Sequence, residues 1–405
     1  MKMISVEAAE LAILERSPRY ESELCPLRES YARVLQTEVR SERAHPPFDR
    51  VAMDGIAIHF ADWQAGCKSF KVVGIHGAGK KAPVLKQKNA CYEVMTGAVL
   101  PEATDCVIPY ERLHIIDGLA TLEEGLELSM RQNIHGFAED HGAGELLLSP
   151  GALIKSPQLS VLATEGYDQV PVSRLPKITV ISTGDELLEV NEKPEAWQIR
   201  RSNSFSIVGT LKAMGYDARD CHLKDDPNHI REGLTDALAN SDILILSGGV
   251  SMGKFDFIPA VLKELEVEEV FHKITQRPGK PMWFGAQGDK TVFALPGNPV
   301  STIISFHRYV LPQLERSMGM RERGMMTVRL TEDIHFKKSM TYFLPVALRF
   351  TDDGEVYGEP RKTNGSGDFA SLCESHGFVE LPAEIDLFKA GEAYVFTSWN
   401  GCRDY

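Results

Sequence analysis

The chain has 405 residues, of which 43% are hydrophobic and 25% charged, as in an ordinary soluble globular protein. Its formal net charge of −13 argues against nucleic acid as a partner, because nonspecific nucleic-acid binding requires a basic face. No segment approaches the roughly 18 apolar residues of a membrane span, so we expect no membrane partner. A chain of this length exceeds one hydrophobic core, which predicts several domains.

The cysteines point to a reducing compartment. The chain contains seven, an odd number, and none forms a Cys-x-x-Cys pair. This pattern is typical of reduced thiols. The N-terminus also lacks the apolar stretch of a signal peptide, so a cytoplasmic location is expected.

The first 175 residues predict a helix, a small β-rich domain and a second helix. Ala8, Leu11, Ala12 and Ile13 recur with helical period after Ser5, a residue that can cap a helix. Short apolar runs separated by Gly, Pro and Asp predict strands at 70–75, 92–95, 106–109 and 113–116. The second helix is expected at 157–165, with Ser156 as its cap and Gly166 at its end.

The segment 176–322 has the pattern of an α/β domain. Apolar runs at 177–181, 242–246 and 291–295 lack polar alternation, as do strands buried on both faces of a parallel sheet. One helix is predicted from Ser202 and Asn203 to Gly215, and another from Asp226 and Pro227 to Asn240. Strands that alternate with helices predict a doubly wound sheet.

The remaining sequence is again β-rich, with turn residues at 352–354 and 364–367. We therefore predict an α/β and β multidomain protein. Its four domains are a helical linker domain (1–44 plus 132–175), a small β-rich domain (45–131), the doubly wound α/β domain (176–322) and a C-terminal β domain (323–405).

Each predicted α/β strand runs directly into a polar, glycine-bearing loop. The loops are Ser182-Thr183-Gly184-Asp185-Glu186, Ser247-Gly248-Gly249-Val250-Ser251 and Pro296-Gly297-Asn298-Pro299. Ligands of such sheets bind outside the carboxyl ends of the strands, and glycine lets backbone N–H groups approach an anion. Any one such loop is weak evidence, because glycine-rich turns follow strands in many proteins. Three together predict an oxyanion or phosphate cradle.

Charged residues near these loops extend that prediction. Arg277 and Lys280 lie in a turn stiffened by two prolines and a glycine, which makes a candidate anion clamp or, alternatively, a solvated surface turn. Five carboxylates fall in the same loops and would suit Mg²⁺ beside a bound phosphate: Asp185, Glu186, Asp225, Asp226 and Asp256. Asp226 is equally placed to cap a helix.

Several other site types lack their sequence signatures. The twelve histidines form no His-Glu-x-x-His and no Cys/His spacing, which argues against zinc. No Gly-x-Ser-x-Gly elbow and no P-loop is present, so serine hydrolase and P-loop nucleotidase functions lose their main support.

Six motifs together resemble those of a known family in the same order. They are PPFDRVAMDG (46–55), MTGA (95–98), STGDEL (182–187), SGGVS (247–251), PGKP (278–281) and PGNPV (296–300). By these motifs the chain resembles the molybdopterin molybdenumtransferases, the MoeA and gephyrin E-domain family. The resemblance extends over nearly the whole chain.

The resemblance implies an elongated four-domain subunit that forms a homodimer and binds adenylylated molybdopterin on its α/β domain. It implies an enzyme of molybdenum cofactor biosynthesis that takes molybdenum from molybdate and releases AMP with Mg²⁺ as the divalent ion. The enzyme that supplies the adenylylated pterin is a further expected partner.

The resemblance also assigns site residues. As catalytic residues it implies Asp54, Asp140, Asp226, Asp256 and Lys280. As metal ligands it implies Asp185, Glu186, Asp226 and Asp256. As substrate-binding residues it implies Thr96, Ser182, Thr183, Gly184, Gly248, Gly249, Ser251, Arg277, Pro296, Gly297, Asn298, Pro299 and Ser366. In the family, the positions of Asp54, Thr96 and Asp140 reach the cleft of the partner subunit.

Four positions depart from the family pattern. His135 replaces an arginine, Ala138 a glycine and Arg277 a lysine, and Pro345 falls where a family arginine is expected. Two other functions stay open. One is a catalytically weakened paralogue that acts as a molybdopterin-binding or scaffolding protein, and the other is a nucleotide pyrophosphatase.

Overall fold

The computed structural model describes residues 3–250, 257–322, 324–362, 365 and 367–400. The chain divides into two compact units. Unit 1 consists of Met1–Thr37, Pro150–Ser160 and Asp168–Tyr405, and unit 2 of Glu38–Ser149 and Val161–Tyr167. The finer division into four domains stays a prediction.

A six-stranded sheet forms the centre of unit 1. Its strands, in spatial order, are Ala218–Leu223, Ile178–Thr183, Ile243–Ser247, Lys290–Leu295, Trp283–Gln287 and Glu268–His272. The first four strands are parallel to one another. Trp283–Gln287 is antiparallel to both of its neighbours, Lys290–Leu295 and Glu268–His272. The three strands predicted from apolar runs are confirmed. The antiparallel edge was not predicted.

Helices cover both faces of this sheet. On one face Val180 and Ile245 pack with Leu211 of the Asn203–Ala213 helix. On the other, Leu244 and Leu246 pack with the Pro227–Asn240 helix. Both predicted helices are thus confirmed, and so is the doubly wound arrangement.

The other α-helices of the described chain are Val6–Glu15, Phe60–Gln64, Ser156–Thr164, Ile258–Glu264, Pro299–Ser305 and Leu311–Ser317.

The first helix is present, but its buried face differs from the prediction. Ser5 caps it as expected, with the backbone N–H of Ala8 donating to Ser5 Oγ over 3.1 Å. The buried residues are Val6, Ala9 and Ile13, whereas Leu11 is 59% exposed. The buried stripe of the helix therefore begins at Val6 and continues three and seven residues later. Val6 was not among the residues from which the helix was predicted.

The C-terminal part of unit 1 forms a second six-stranded sheet. Its strands, in spatial order, are Gln276–Arg277, Thr341–Phe350, Val356–Pro360, Thr327–Leu330, Ala393–Ser398 and Gly377–Leu381. The predicted turn at 352–354 closes a hairpin in which the N–H of Thr351 donates to the carbonyl of Glu355. Short strand pairs complete the unit: Ser22–Pro26 with Gln169–Ser173, Leu187–Leu188 with Ile199–Arg200, and Ile334–His335 with Leu387–Phe388.

Unit 2 is built on a third six-stranded sheet. Its strands, in spatial order, are Cys106–Pro109, Gly55–Ile58, Ala90–Val94, Ser69–His76, Leu119–Leu122 and Leu113–Ile116. Two short pairs accompany it: Arg50–Val51 with Ile134–His135, and Val39–Arg40 with Leu146–Leu148. The four predicted strands are confirmed. Gly55–Ile58 and Leu119–Leu122 were not predicted.

Within the part of the chain that the structure describes, no helix is both long and apolar enough to cross a membrane. The six described cysteines are free thiols, namely Cys25, Cys67, Cys91, Cys106, Cys221 and Cys373.

Candidate functional site

A cleft of about 430 Å³ lies at the carboxyl ends of the parallel strands in unit 1. The three loops that follow the predicted strands all contribute to it, together with the segment 199–204. Its predicted residues are Ser182, Thr183, Gly184, Glu186, Gly248, Gly249, Pro296, Gly297, Asn298 and Pro299. The cleft therefore brings together most of the predicted substrate-binding set.

Gly248 allows two of these loops to meet. Its φ is +104°, and a Cβ placed there would lie 2.9 Å from the carbonyl oxygen of Thr183. A larger residue would push the loops apart and would also be strained at this φ. Glycine is thus required by the close approach of the two backbones.

Asn203, at the start of the Asn203–Ala213 helix, holds two loops in place. Its side-chain Nδ2 donates to Ser247 Oγ over 2.8 Å and to the carbonyl oxygen of Gly297 over 2.7 Å. The sequence predicted only that Asn203 opens a helix. The missed role depends on contacts between residues far apart in the chain.

Four polar side-chain atoms of cleft-lining residues are buried without a hydrogen-bond partner in the described residues. They are Thr183 Oγ1, Arg201 Nε, Asn203 Oδ1 and Ser204 Oγ. A buried polar group normally forms a hydrogen bond, and an exception at a cleft is a position that a polar ligand can satisfy.

Arg201 is a cleft residue that was not predicted from the sequence. It is only 8% exposed, and one guanidinium nitrogen lies 2.7 Å from Asp220 Oδ2. A second nitrogen donates to Ser182 Oγ over 3.3 Å. Burial is the main influence on Asp220 and raises its pKa above the usual range, although Arg201 opposes the shift. The cleft thus contains a fixed cation beside the first strand-end loop.

The predicted metal-binding carboxylates do not all line the cleft. Glu186 and Asp225 are among its lining residues, while Asp185 and Asp226 are not. Asp185 Oδ1 accepts from the N–H of Asp225 over 3.2 Å. Asp226 Oδ1 accepts from the N–H groups of Asn228 and His229, which makes it the cap of the Pro227–Asn240 helix.

The donor set at the cleft fits a magnesium ion. Mg²⁺ takes one or two carboxylates and completes its shell with water and substrate oxygens. Glu186 and Asp225 provide that number of carboxylates from two neighbouring loops. Magnesium binding itself stays a prediction.

The two cations of the predicted anion clamp, Arg277 and Lys280, are not among the residues that line the cleft. Pro281 lines it, and the neighbouring Lys280 is exposed. Arg277 is also exposed and lies in a short strand opposite Tyr342. Ser251, Asp256 and Ser366 were also predicted as site residues, but they lie outside the described residues.

In unit 2 Asp54 and Thr96 are in direct contact. Asp54 Oδ1 accepts from the backbone N–H of Thr96 over 2.6 Å and from its hydroxyl over 2.8 Å. These two hydrogen bonds, the backbone one first, hold the pKa of Asp54 below its usual range. The carboxylate is exposed.

The departures from the family pattern occupy defined positions. His135 Nε2 lies 3.0 Å from Asp140 Oδ1, and Arg50 contacts the other ring nitrogen over 2.7 Å. Ala138 has a left-handed φ of 60°. Pro345 is buried in the Thr341–Phe350 strand, and its carbonyl accepts from the N–H of Arg361.

Unit 2 has a larger cavity of about 570 Å³, lined by residues that include Met53, Gln132 and Asn133. None of the predicted site residues lines it.

Three family models together match most of the chain. The MoeA N-terminal region (domain I and II) matches residues 4–166, the probable molybdopterin binding domain residues 179–316, and the MoeA C-terminal region (domain IV) residues 327–396. A molybdopterin molybdenumtransferase of Synechocystis is 37% identical over 98% of this chain and all of its own length.

The chain belongs to the molybdopterin molybdenumtransferase family. It is a MoeA-type enzyme of molybdenum cofactor biosynthesis. A relative of the same name from Staphylococcus epidermidis is 30% identical over 96% of this chain and 94% of its own. The solved structure of a molybdopterin biosynthesis MoeA protein from Pyrococcus horikoshii matches with a TM-score of 0.80 and 27% identity, over 99% of this chain and all of that one. The family resemblance is confirmed, and so is the predicted fold class of an α/β domain flanked by β-rich domains.

Proposed function

We propose that this enzyme transfers molybdenum from molybdate to the dithiolene of adenylylated molybdopterin and releases AMP in a Mg²⁺-dependent step. We further propose that it acts in the cytoplasm as a homodimer, in which Asp54, Thr96 and Asp140 of one subunit serve the cleft of the other. The names of the relatives and of the matching α/β family support molybdopterin as the substrate class.

The convergence of three strand-end loops on one cleft carries this proposal. Adenylylated molybdopterin has a pyrophosphate link, and backbone N–H groups of such loops suit phosphate oxygens. The volume of 430 Å³ lies in the range of small-molecule sites. The unpaired Thr183 Oγ1 and Asn203 Oδ1 offer further polar contacts to the pterin or its phosphate.

Two cations serve the phosphate in this proposal. The exposed Lys280 acts as a point charge on the pyrophosphate, and Arg277 grips phosphate oxygens with two N–H groups. Glu186 and Asp225 would hold Mg²⁺, which when bound supplies a Lewis acid for the developing charge.

The reaction is a hydrolysis coupled to a ligand exchange. Water adds to the phosphoanhydride, the bond between the pterin phosphate and the adenylate breaks, and AMP leaves with the released proton passing to solvent. The two dithiolene thiols bind molybdenum and displace one molybdate oxygen, which leaves as water together with the two thiol protons. The oxidation state of molybdenum does not change.

One observation favours the second candidate function, a binding or scaffolding paralogue. The contact between His135 and Asp140 occupies a carboxylate that the resemblance assigns to catalysis. A protein of this second kind would bind the adenylylated pterin without releasing AMP. The pyrophosphatase alternative would release AMP whether or not molybdate is present.

One assay separates the three functions. Purified protein is incubated with adenylylated molybdopterin and Mg²⁺, with and without molybdate, and both AMP and pterin-bound molybdenum are measured. The proposed enzyme releases AMP together with molybdenum incorporation. Binding without AMP release would establish the scaffold, and AMP release without incorporation would establish the pyrophosphatase.

A further inference from the structure

Unit 2 contains a cluster of three metal-ligating side chains, outside the cleft and outside the predicted site residues. His45, His141 and Glu165 place one ligand atom each within 4.8 Å of one another. The histidines have no recognised spacing in the sequence, and zinc was therefore not expected. These three residues lie far apart in the sequence, so no spacing rule could find them.

The backbone fixes the two histidine rings side by side. His45 and His141 form an antiparallel bridge, in which the N–H of His45 donates to the carbonyl of His141 over 2.9 Å and the reverse bond measures 3.2 Å. Residues directly opposite each other in such a bridge project on the same side. Their ring centroids are accordingly 4.6 Å apart.

Glu165 completes the cluster from a third segment of the chain. Its side chain is only 2% exposed, and Oε1 lies 3.2 Å from Nε2 of His45. The other carboxylate oxygen, Oε2, accepts from the backbone N–H of Glu42 over 2.7 Å. A ligand carboxylate is commonly held in this way by a second hydrogen bond.

The unsatisfied nitrogens are the observation that points to a ligand. Nε2 of His45 and Nε2 of His141 are both buried, and neither forms a hydrogen bond with any residue in the described ranges. The contact between His45 and Glu165 has the distance of an ion pair but not the geometry of a hydrogen bond. Two buried, unpaired imidazole nitrogens beside a buried carboxylate are costly unless a further group binds them.

We propose that His45, His141 and Glu165 form a Zn²⁺-binding site. Two imidazoles and one carboxylate match the donor types of zinc, with the fourth position left for water. Ligand atoms of a tetrahedral zinc ion with bonds of about 2.0–2.1 Å stand roughly 3.3 Å apart, close to the 3.2 Å between His45 and Glu165. Magnesium is disfavoured because it prefers oxygen ligands.

Bound zinc would cross-link three segments of unit 2. Glu165 belongs to Val161–Tyr167, a segment that is separate in sequence from the rest of the unit. His45 precedes the PPFD motif, and its carbonyl accepts from the N–H of Asp140 over 2.9 Å. The ion would therefore stabilise unit 2 and position Asp140.

The test uses the full-length protein, freed of metal with a chelator, and Zn²⁺ alone as the probe. Binding is measured by calorimetry, bound metal by mass spectrometry after gel filtration, and melting temperature with and without Zn²⁺. The variants are His141→Asn and Glu165→Gln, the second of which can keep the hydrogen bond to Glu42. His114→Asn, at an exposed histidine of the same unit, is the control.

The proposal predicts that the wild type and His114→Asn bind Zn²⁺ and gain several degrees in melting temperature. Glu165→Gln and His141→Asn should lose at least about tenfold to a hundredfold in affinity, the range seen even for outer-shell partners. Co²⁺ should give the visible absorption of a four-coordinate ion in the wild type and in His114→Asn, but not in Glu165→Gln or His141→Asn.

Two results would overturn the proposal. One is a wild type that does not bind Zn²⁺, which would leave His45 and Glu165 as a metal-free ion pair. The other is equal binding by all variants, which would place the ion on surface groups. Circular dichroism of each metal-free variant verifies that a loss of binding is not a loss of folding.

Discussion

The side chain of Asn203 donates a hydrogen bond of 2.7 Å to the carbonyl oxygen of Gly297. This bond joins the first turn of a helix to the loop after the fourth parallel strand of the central sheet. A second bond from the same nitrogen reaches Ser247 Oγ in the neighbouring strand end. One amide thus sets the distance between two walls of the cleft.

Asn203→Ala should therefore weaken both the cleft and the fold. Two hydrogen bonds are lost, at about 1 kcal/mol each, and the acceptor Gly297 O loses a partner. We expect the free energy of unfolding to fall by about 1–3 kcal/mol and substrate affinity to fall as well. Denaturant unfolding and calorimetry with adenylylated molybdopterin measure the two effects.

The matched control is Asn240→Ala. Asn240 also donates from Nδ2, but to exposed acceptors of Asp236 within its own helix. We expect a loss of no more than about 0.5 kcal/mol for such a surface change. Equal losses in the two variants would contradict the role given to Asn203.

Lys280→Ala should weaken binding of the adenylylated pterin. A hydrogen bond that involves a charged group contributes about 1.5–3 kcal/mol, which corresponds to roughly ten- to over a hundredfold in Kd. The loss should shrink as salt is raised, since an exposed charge is screened. Lys212→Ala, at an exposed lysine in the last turn of the Asn203–Ala213 helix, is the control. Unchanged affinity of the Lys280 variant at low salt would make this turn a plain surface feature.

The strand-end loops of the cleft could be predicted from the sequence because each follows an apolar run without polar alternation, as in a strand that is buried on both sides. The capping role of Asp226 could also be predicted, since it depends on residues two and three positions away. Arg201 could not be predicted. Its contacts with Ser182 and Asp220 join segments that are distant in sequence, and Arg-Arg-Ser-Asn has no strand or turn pattern.

The strand Gly55–Ile58 of unit 2 also depends on contacts between residues that are distant in sequence. Glycine normally weakens a strand, and the sequence therefore gave little reason to place one there. In the structure a Cβ on Gly55 would lie 1.9 Å from the carbonyl oxygen of Ile108, in the adjacent strand. Glycine is required by the tertiary approach of that strand, which local propensity does not contain.

Thr96→Val should raise the pKa of Asp54. The variant removes the hydroxyl that donates over 2.8 Å but keeps the backbone N–H, so the pKa should rise yet remain below the usual range. Carboxyl carbon chemical shifts followed across a pH titration measure this directly. Thr121→Val, which removes a hydroxyl contact with Ser69 in the same unit, should leave the Asp54 titration unchanged.

The sign of the accompanying stability change follows from the lowered pKa. Stabilisation from ionised Asp54 is present above its unfolded pKa and is lost as the pH falls through the folded pKa. Any stability difference between wild type and Thr96→Val should therefore shrink toward acidic pH. A difference that grows on acidification would contradict the assignment.

Ala138→Gly should stabilise the protein. Ala138 has a φ of 60°, where a Cβ is strained and glycine is not. After the entropic cost of glycine we expect a net gain of about 0.5–1 kcal/mol in the free energy of unfolding. Ala65→Gly is the control, because Ala65 is exposed and has an ordinary φ of −72°. That control should lose stability, and a loss in both variants would mean that Ala138 is not strained.

The most direct test of the proposed function is the stoichiometry of a single turnover with adenylylated molybdopterin, Mg²⁺ and molybdate. Quenched samples are analysed for AMP by chromatography and for pterin-bound molybdenum by mass spectrometry. We predict equal molar amounts of AMP and incorporated molybdenum, formed at the same rate, and neither product when Mg²⁺ is removed. AMP without incorporated molybdenum, or bound substrate that stays intact through many minutes, would contradict molybdenum transfer by this enzyme.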